Sequence, residues 1–294
     1  MDTADLRVFE AVARLGGMNR AASELNTVQS NVTARIRRLE EELGTPLFNR
    51  HSRGVSLTGA GMRLLPYALQ AGELMASARR AAGDDGRPKG PLTVGSLETT
   101  AALRLSPILT AYAAAWPEVD LVLRTGTTAE MIESTLAREV EGAFVAGPVD
   151  HPELDATPVF REELAIATSP HIHDLRELAR IDALKIVVLR AGCSYRQLLE
   201  AILARRGIVG LRQLEFGTIE TIVGSVAAGL GVTLMPVGIL QAARDAGRIA
   251  VHELPPAEAS VETLFIRRRD GFLSSTLAAF LESARSRRID VAAA

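Results

Sequence analysis

The sequence has one cysteine, few aromatic residues and no long apolar run. Cys193 alone cannot form an internal disulfide or a multi-cysteine zinc or iron–sulfur site. No uninterrupted apolar segment approaches the roughly 18–20 residues that span a bilayer, and the first residues lack the basic-then-apolar pattern of a signal peptide. We therefore expect a cytoplasmic protein with no membrane partner, no metal site and no resident cofactor.

Charge is distributed unevenly along the chain. The formal net charge is −2, but residues 1–60 hold eight arginines against seven acids, and the remaining residues hold 25 basic and 28 acidic side chains. A small basic head on a slightly acidic body suits local contact with DNA, although charge alone does not establish it. The 294 residues are enough for more than one core.

Residues 1–44 are predicted to form three short helices. The third helix carries a stripe at helical spacing that we expect to be buried, formed by Val32, Ile36, Leu39 and Leu43. The opposite face and its flanks are small, polar and basic, as entry into a major groove requires. Periodicity alone is equally compatible with a solvated helix in an ordinary bundle. The predicted DNA contacts on this helix are Gln29, Ser30, Asn31, Thr33, Ala34, Arg37 and Arg38.

A two-stranded wing is predicted after Gly44. Residues 47–50 and 55–57 have strand character and flank a Gly-containing turn. Arg50 and Arg53 are the basic side chains of this wing, and we expect them to reach phosphate or the minor groove.

Thr58 is predicted to cap a long helix with two interleaved heptad rows. One row holds Leu57, Leu64, Ala71 and Ala78, and the other holds Ala60, Tyr67, Leu74 and Ala81. Such rows favour pairing with a second copy of the helix, the alternative being a helix packed on its own domain. Pro66 is expected to bend or weaken one turn.

Residues 83–91 form a linker rich in Gly, Pro and charge, and strands alternate with helices beyond it. Strands are predicted near 92–95, 119–124, 141–146, 186–189, 212–216, 231–235 and 261–267. Helices are predicted near 99–115, 127–138, 195–206, 218–229 and 272–288. This alternation indicates parallel α/β units.

The segment from Leu6 to Gly61 resembles the DNA-binding region of LysR-type transcriptional regulators. The motifs that carry the resemblance appear in family order: Ala21-Ala22, Arg38-Leu39-Glu40-Glu41-Glu42-Leu43-Gly44, Leu47-Phe48-x-Arg50 and Leu57-Thr58-x-Ala60-Gly61. The rest of the chain matches more loosely, in length and layout.

The resemblance implies an α/β protein with an N-terminal all-α winged helix-turn-helix (residues 1–58). A dimerisation helix and hinge (59–90) would follow, then an effector-binding domain (91–294). That domain would consist of two periplasmic-binding-protein-like subdomains, about 91–162 with 266–294 and about 163–265. Expected partners are double-stranded promoter DNA, a small-molecule effector and a second copy bound through residues 58–82. The assembly would be a homodimer or, more typically, a homotetramer, and RNA polymerase is a further candidate partner.

One position departs from the family pattern. The recognition helix often opens with a serine before Gln29, and here Val28 stands there. We therefore expect Thr27 to cap this helix instead.

The effector is predicted to bind where strands end and helices begin, since ligands of α/β sheets bind at the carboxyl ends of the strands. Four loops lie between the end of a predicted strand and the start of a helix. Hydroxyl groups at helix starts suit a carboxylate, whereas Glu98 would suit an amine. An amino acid, an amine or a small carboxylate is therefore expected. Each threonine is also an ordinary N-cap. The candidate residues are Ser96, Glu98, Thr99, Thr100, Thr127, Thr128, Cys193, Ser194 and Thr218.

Three other interpretations fit the sequence less well. Cys193 precedes a helix near Arg196, which could lower the thiol pKa, but pocket lining is favoured over redox sensing because no second cysteine exists. An enzyme is disfavoured, since no Walker-type loop, G-x-S-x-G motif or complete dinucleotide fingerprint occurs. A solute receptor that never touches DNA is disfavoured by the basic helix face.

Overall fold

The computed structural model describes residues 1–51 and 54–286, and the chain divides into two compact units, Met1–Asp84 and a second that begins at Asp85. Arg53, one of the predicted DNA contacts, and the end of the predicted last helix lie outside the described residues. None of the described helices is long and apolar enough to cross a bilayer.

The first unit is helical with a small hairpin. Its elements are α1 (Thr3–Leu15), α2 (Met18–Glu24), α3 (Gln29–Leu43), β1 (Phe48–His51), β2 (Gly54–Leu57) and α4 (Gly59–Gly83). The strands β1 and β2 pair antiparallel, which confirms the predicted wing. Phe9 of α1 contacts Phe48 of β1 with ring centroids 5.3 Å apart, so the wing is anchored on the helical core.

Local signals in the sequence place the ends of these helices. The Asp2 side chain accepts a hydrogen bond from the Asp5 N–H at the start of α1, and Gly16 ends that helix in the left-handed region. Thr58 caps α4 by accepting from the Gly61 N–H, as predicted. The helix α4 then continues through Pro66.

The predicted buried stripe on α3 needs one correction. Val32, Ile36 and Leu39 are fully buried, but Leu43 is 39% exposed. Leu43 is the last residue of α3, immediately before the left-handed Gly44 that ends the helix. The apolar stripe therefore runs past the edge of the core that it helps to form.

The second unit is an α/β fold. Its helices are α5 (Glu98–Thr100), a π-helical turn (Ala101–Leu105), α6 (Ser106–Ala115), α7 (Thr128–Leu136), a 3-10 helix (Leu175–Arg180), α8 (Ser194–Arg205), α9 (Ile219–Ala227), α10 (Val237–Asp245) and α11 (Ser275–Ser286). Its strands are β3 (Gly90–Leu97), β4 (Val119–Gly126), β5 (Gly142–Ala146), β6 (Leu154–Thr168), β7 (Lys185–Leu189), β8 (Arg212–Phe216), β9 (Thr233–Pro236), β10 (Ala250–Glu253) and β11 (Ser260–Arg268).

Two groups of strands meet on β6. Residues Leu154–Glu163 of β6 pair with β11, which continues through β5 and β3 to β4. Residues Leu164–Thr168 pair with β9 and β10. The parallel pair β7–β8 joins this second group through a bridge between Ile186 and Val232. We call the β3–β4–β5–β11 side the first lobe and the β7–β8–β9–β10 side the second lobe.

All seven predicted strands are present, with no end shifted by more than two residues. The sequence did not predict β6, α10 or β10. Strand β6 contains Pro158 and the charged residues Arg161, Glu162 and Glu163, so its pattern is neither apolar nor regularly alternating. The predicted helix 99–115 is interrupted by the π-helical turn.

Each lobe has its own core. Phe144 of β5 lies at the centre of the first lobe, in contact with the rings of Phe160, Phe265 and Phe280. Tyr112 closes this core, and its hydroxyl donates to the Thr276 carbonyl at 2.8 Å. The second-lobe core is built by apolar side chains of β7, β9 and α8.

The packing of α4 on the wing predicts a steric requirement at Gly61. A Cβ atom at this position would lie 2.3 Å from the Leu47 carbonyl oxygen and 2.8 Å from the Leu57 side chain. Backbone cannot yield easily, so Gly61→Ala should destabilise the chain by about 1–3 kcal/mol, as overpacking does. Thermal and urea unfolding of the full chain measure this effect.

Gly72→Ala in the same helix is the matched control. No atom lies within 4 Å of a Cβ placed there, so the higher helix propensity of alanine should leave stability unchanged or raise it by up to about 1 kcal/mol. Equal stability of the two variants would contradict the close approach of α4 to the wing.

Candidate DNA interface and effector cleft

Helix α3 presents its N-terminal turn to solvent. Val28 occupies the N-cap position, makes no side-chain cap and is 65% exposed. The prediction that Thr27 caps the helix is wrong. The Thr27 hydroxyl instead accepts a hydrogen bond from Asn31 Nδ2 at 2.9 Å. It does not bond to the free backbone N–H groups at the start of α3.

The face opposite the buried stripe is exposed as predicted, because only one side of α3 contacts the core. Gln29 Nε2 donates to the Thr33 hydroxyl at 3.3 Å, so this pair is held along the helix. Thr33 is half-buried. The predicted contacts that are exposed on this helix are Gln29, Ser30, Asn31, Ala34, Arg37 and Arg38.

A buried carboxylate fixes α3 against α1. Asp5 is 1% exposed and accepts from Arg35 at 2.9 Å and from Arg38 at 2.5 and 2.7 Å. Burial raises the pKa of Asp5, but the two guanidinium groups outweigh burial and bring the pKa below its ordinary value. Within the described residues, Arg37 is the arginine of α3 that has no hydrogen-bond or ion-pair partner.

The wing is tied to the far end of α3. Glu40 accepts from the N–H groups of Leu47 and Phe48 at 2.8 and 3.2 Å. Arg50, a predicted DNA contact, lies 3.6 Å from the same carboxylate. Glu40 therefore links the wing to α3, in addition to the contact of Phe48 with the helical core.

In the second unit, four strand ends converge on one cavity. The strands β3, β4, β5 and β7 finish at Leu97, Gly126, Ala146 and Leu189, and all four residues line it. Its non-atom space is about 390 Å³, which includes solvent at the open mouth, and about 20 Å³ of that space admits the centre of a water molecule. The remaining lining residues are Glu98, Thr99, Thr127, Thr128, Arg190, Cys193, Ser194 and Tyr195. The cavity is a cleft between the lobes, because β3, β4 and β5 belong to the first and β7 to the second.

Six of the nine predicted effector residues line this cleft, and three do not. The three exceptions face elsewhere for local reasons. The buried Ser96 hydroxyl donates to the Leu97 carbonyl at 2.9 Å. Thr100 is buried one residue beyond the lining, and Thr218 is exposed, where it caps α9.

The lobes touch along one side of the cleft. The Ser194 hydroxyl donates to the Thr128 hydroxyl at 2.9 Å, and the Ala129 N–H lies 3.4 Å from the Gly192 carbonyl oxygen. Gly192 has a φ of +90°, and a Cβ there would lie 2.9 Å from Thr127 Oγ1. This close approach requires glycine.

Two charged side chains from opposite lobes line the cleft. Burial raises the pKa of Glu98, the positive charge of Arg190 lowers it, and Glu220 and Glu130 raise it further; the pKa is raised overall. Neither Glu98 nor Arg190 makes a hydrogen bond or ion pair with any described residue. Glu130 is engaged, since its carboxylate accepts from the Thr127 N–H in a capping box.

The inner cleft holds hydroxyl groups that lack well-formed hydrogen bonds. The Thr99 and Tyr195 hydroxyls are buried next to each other, and neither makes a well-formed hydrogen bond with a described residue. Burial raises the pKa of Tyr195 to about 12, against a smaller opposing effect of the nearby Thr99 hydroxyl. Tyr195 therefore stays protonated and able to donate. Buried polar groups without well-formed hydrogen bonds are uncommon, and these two line the cleft, where a ligand could complete their hydrogen bonding.

The expectation for the Cys193 pKa is wrong. Arg196 and the neighbouring backbone N–H groups do lower it, but burial dominates and raises the thiol pKa above its ordinary value. Cys193 is 9% exposed and lines the cleft. A buried thiol of raised pKa is poorly nucleophilic, which agrees with a lining role.

Sequence reasoning missed Arg190, Tyr195 and the Asp5 anchor. Arg190 follows the last residue of β7, so the strand-end rule that selected Gly192–Ser194 also covered it. Tyr195 begins the predicted helix 195–206 and was not among the predicted effector residues. Nothing local marks Asp5, because its partners lie 30 and 33 residues away.

A winged helix-turn-helix joined to a two-lobed α/β cleft defines a ligand-responsive, DNA-binding transcription regulator. Residues 3–62 match the model of the bacterial regulatory helix-turn-helix protein, lysR family, and residues 85–288 match the model of the LysR substrate binding domain. The chain belongs to the LysR family of transcription regulators, which are not enzymes.

Similar proteins cover nearly the whole chain. The HTH-type transcriptional regulators YusT and GltR of Bacillus subtilis are 42% and 41% identical to it; the alignments cover 96% and 94% of this chain and 95% and 93% of theirs. The chain is also similar to CbnR in the crystal structure of full-length CbnR complexed with its target DNA, with 25% sequence identity and a TM-score of 0.67. The match covers 97% of this chain and 99% of CbnR.

The Asp5 anchor predicts a pH-dependent stability. Because the pKa is lower in the folded state than its ordinary value of 3.8, ionised Asp5 stabilises the fold above about pH 4. That contribution is lost as pH falls through the lower, folded-state pKa. At pH 7, Asp5→Asn should lower the unfolding free energy by about 1–3 kcal/mol, as loss of charged hydrogen bonds does. The deficit should shrink below pH 4.

Asp2→Asn is the control for this variant. Asp2 pairs with Arg35 and Arg38 only at the surface, where ion pairs contribute little, and asparagine caps helices as well as aspartate does, so the stability of this variant should stay close to that of the wild type. Urea unfolding between pH 3 and 7 makes the comparison. A deficit of Asp5→Asn that stays constant with pH would show that the ionised carboxylate is not what anchors α3.

Proposed function

We propose that this protein is a cytoplasmic regulator whose binding to promoter DNA is controlled by an amino acid, an amine or a small carboxylate in the cleft. The observation that carries the proposal is the cleft itself: strand ends from both lobes converge on it, and buried hydroxyl groups that line it lack well-formed hydrogen bonds. A ligand that contacts both lobes stabilises one arrangement of them, and so shifts the population of DNA-binding states.

DNA contacts are proposed for the exposed face of α3 and for the wing. Gln29, Ser30, Asn31 and Thr33 would lie closest to base edges, with Ala34 small enough to permit close approach. Arg37 would contact phosphate or a base. Arg38 and Arg50 are engaged with carboxylates, so their contribution to DNA binding would be smaller than that of Arg37.

Self-association is proposed through α4, within residues 58–82. The two heptad rows differ in exposure. Leu64 and Ala71 pack on the core of their own unit, whereas Tyr67 and Leu74 are 68% and 53% exposed. The row that contains Tyr67 and Leu74 therefore offers an apolar face to a second copy of the chain. Such a dimer would place two recognition helices about 34–36 Å apart in successive major grooves. Two dimers would form the tetramer expected from the family resemblance.

The central experiment is gel-shift titration of the DNA upstream of the protein's own gene, with amino acids, amines and carboxylates added in turn. One compound should change the affinity or the mobility of the complex. If no compound of these three classes alters DNA binding or binds the protein, effector control through this cleft is wrong.

Arg37→Ala should weaken binding to that DNA by about 1–3 kcal/mol, roughly 5- to 150-fold, and lower the salt dependence if the contact is to phosphate. The exposed Arg212 of β8 lies in the other unit, so Arg212→Ala is the control that should bind like the wild type. Unchanged affinity and salt slope for Arg37→Ala would contradict the assigned face.

Leu74→Glu should disrupt the dimer, because a buried charge in an apolar seam is strongly unfavourable. Sedimentation equilibrium should show a shift toward monomer by at least tenfold in the dissociation constant. Gly72→Glu adds the same charge on the opposite, open side of α4 and should not change the assembly. Dimerisation of Leu74→Glu at wild-type strength would place the interface elsewhere.

A further inference from the structure

The cleft carries one negative and one positive side chain that do not satisfy each other. Glu98 begins α5 in the first lobe, and Arg190 follows β7 in the second. Both line the cleft, and they influence each other electrostatically without forming an ion pair. Each lobe therefore presents an unpaired charge of opposite sign to the same space.

Glu98 is the costlier of the two to leave unpaired. Its side chain is half-buried, and this burial disfavours ionisation. The charge of Arg190 favours ionisation, whereas the charges of Glu220 and Glu130 disfavour it. A desolvated carboxylate without a partner is unfavourable, and a cation placed beside it recovers part of that cost. A ligand ammonium group provides such a cation.

Arg190 is exposed at the mouth of the cleft. Its guanidinium is planar and carries donors in a fixed fork, which matches the two oxygens of a carboxylate. Other arginines nearby are engaged: Arg196 pairs with Glu200 and Glu215. Among the residues that line the cleft, Arg190 is the one that carries a positive charge.

The rest of the cleft lining combines apolar walls with hydroxyl groups. Leu97, Ala146 and Leu189 form its apolar walls. Tyr195 and Thr99 are 5% and 1% exposed, and their neighbouring hydroxyls make no well-formed hydrogen bond. This combination suits a short side chain that ends in, or carries, a hydrogen-bonding group.

We propose that the effector is a free amino acid bound as a zwitterion, with its ammonium at Glu98 and its carboxylate at Arg190. This inference rests on the proposed effector function and narrows its ligand class. Because the two charges come from different lobes, one small molecule with both charges bridges the lobes, which a simple amine or carboxylate does not. Glu98 and Arg190 thereby become the residues that determine ligand class, and Tyr195 and Thr99 select the side chain.

The test begins with calorimetric titration of the full-length wild-type protein with each of the twenty common amino acids. For every amino acid that binds, the matched carboxylic acid without the amino group and the matched amine without the carboxylate are titrated next. The zwitterion should bind at least tenfold more tightly than either analogue. Analogues that bind as well as the amino acid, or no binding by any amino acid, would overturn the proposal.

Two variants assign the charges separately. Glu98→Gln should lose most of the preference for the amino acid over its carboxylic-acid analogue, while keeping the preference over the amine. Arg190→Gln should show the reverse pattern. The engaged pair outside the cleft supplies controls, since Arg196→Gln and Glu215→Gln should keep both preferences. Circular dichroism and DNA binding without ligand verify that each variant is folded.

The DNA assay separates this inference from the function on which it rests. If a compound that is not an amino acid alters DNA binding and occupies the cleft, the regulator function stands and the zwitterion inference is wrong. If no compound of any class binds or alters DNA binding, both are wrong. Wild-type preferences in both Glu98→Gln and Arg190→Gln would also refute the assignment, whichever ligand binds.

Discussion

Both lobes of the effector unit hydrogen-bond to one continuous strand. Residues Leu154–Glu163 of β6 pair with β11 of the first lobe, and Leu164–Thr168 pair with β9 and β10 of the second. The buried carboxylate of Glu162, held by Arg104 at 2.8 and 2.9 Å, lies just before the change of partner. The chain crosses between the lobes near this point and crosses back between β10 and β11, so a change in the angle between the lobes requires these two segments to bend.

The chemistry of the cleft follows from that construction. Strand ends from two lobes bring together groups that no single lobe could place, Glu98 from one and Arg190 from the other. The Ser194–Thr128 hydrogen bond and the close approach at Gly192 fix one side, while the hydroxyls of Tyr195 and Thr99 lack well-formed hydrogen bonds. When the backbone around a site is held in place but its charged and hydroxyl groups lack partners, a ligand that supplies those partners is favoured.

Sequence reasoning succeeded where the determinants are local. The cap at Thr58, the wing and the strand ends follow from hydroxyl, glycine and periodic apolar residues close in the chain. It failed where the determinants are distant. Strand β6 lacks a regular pattern because it changes partners midway, and Asp5 acquires its role from arginines on another helix. Thr218 satisfied the strand-end rule, but its strand, β8, ends away from the cleft.

Hydrogen–deuterium exchange of the full-length protein, with and without a compound that alters its DNA binding, tests the central claim most directly. The account predicts slower exchange in three separate segments, residues 97–100, 126–129 and 190–195, because their backbones border the cleft in both lobes. Protection confined to one lobe, or located away from these segments, would contradict a ligand that joins the lobes through this cleft.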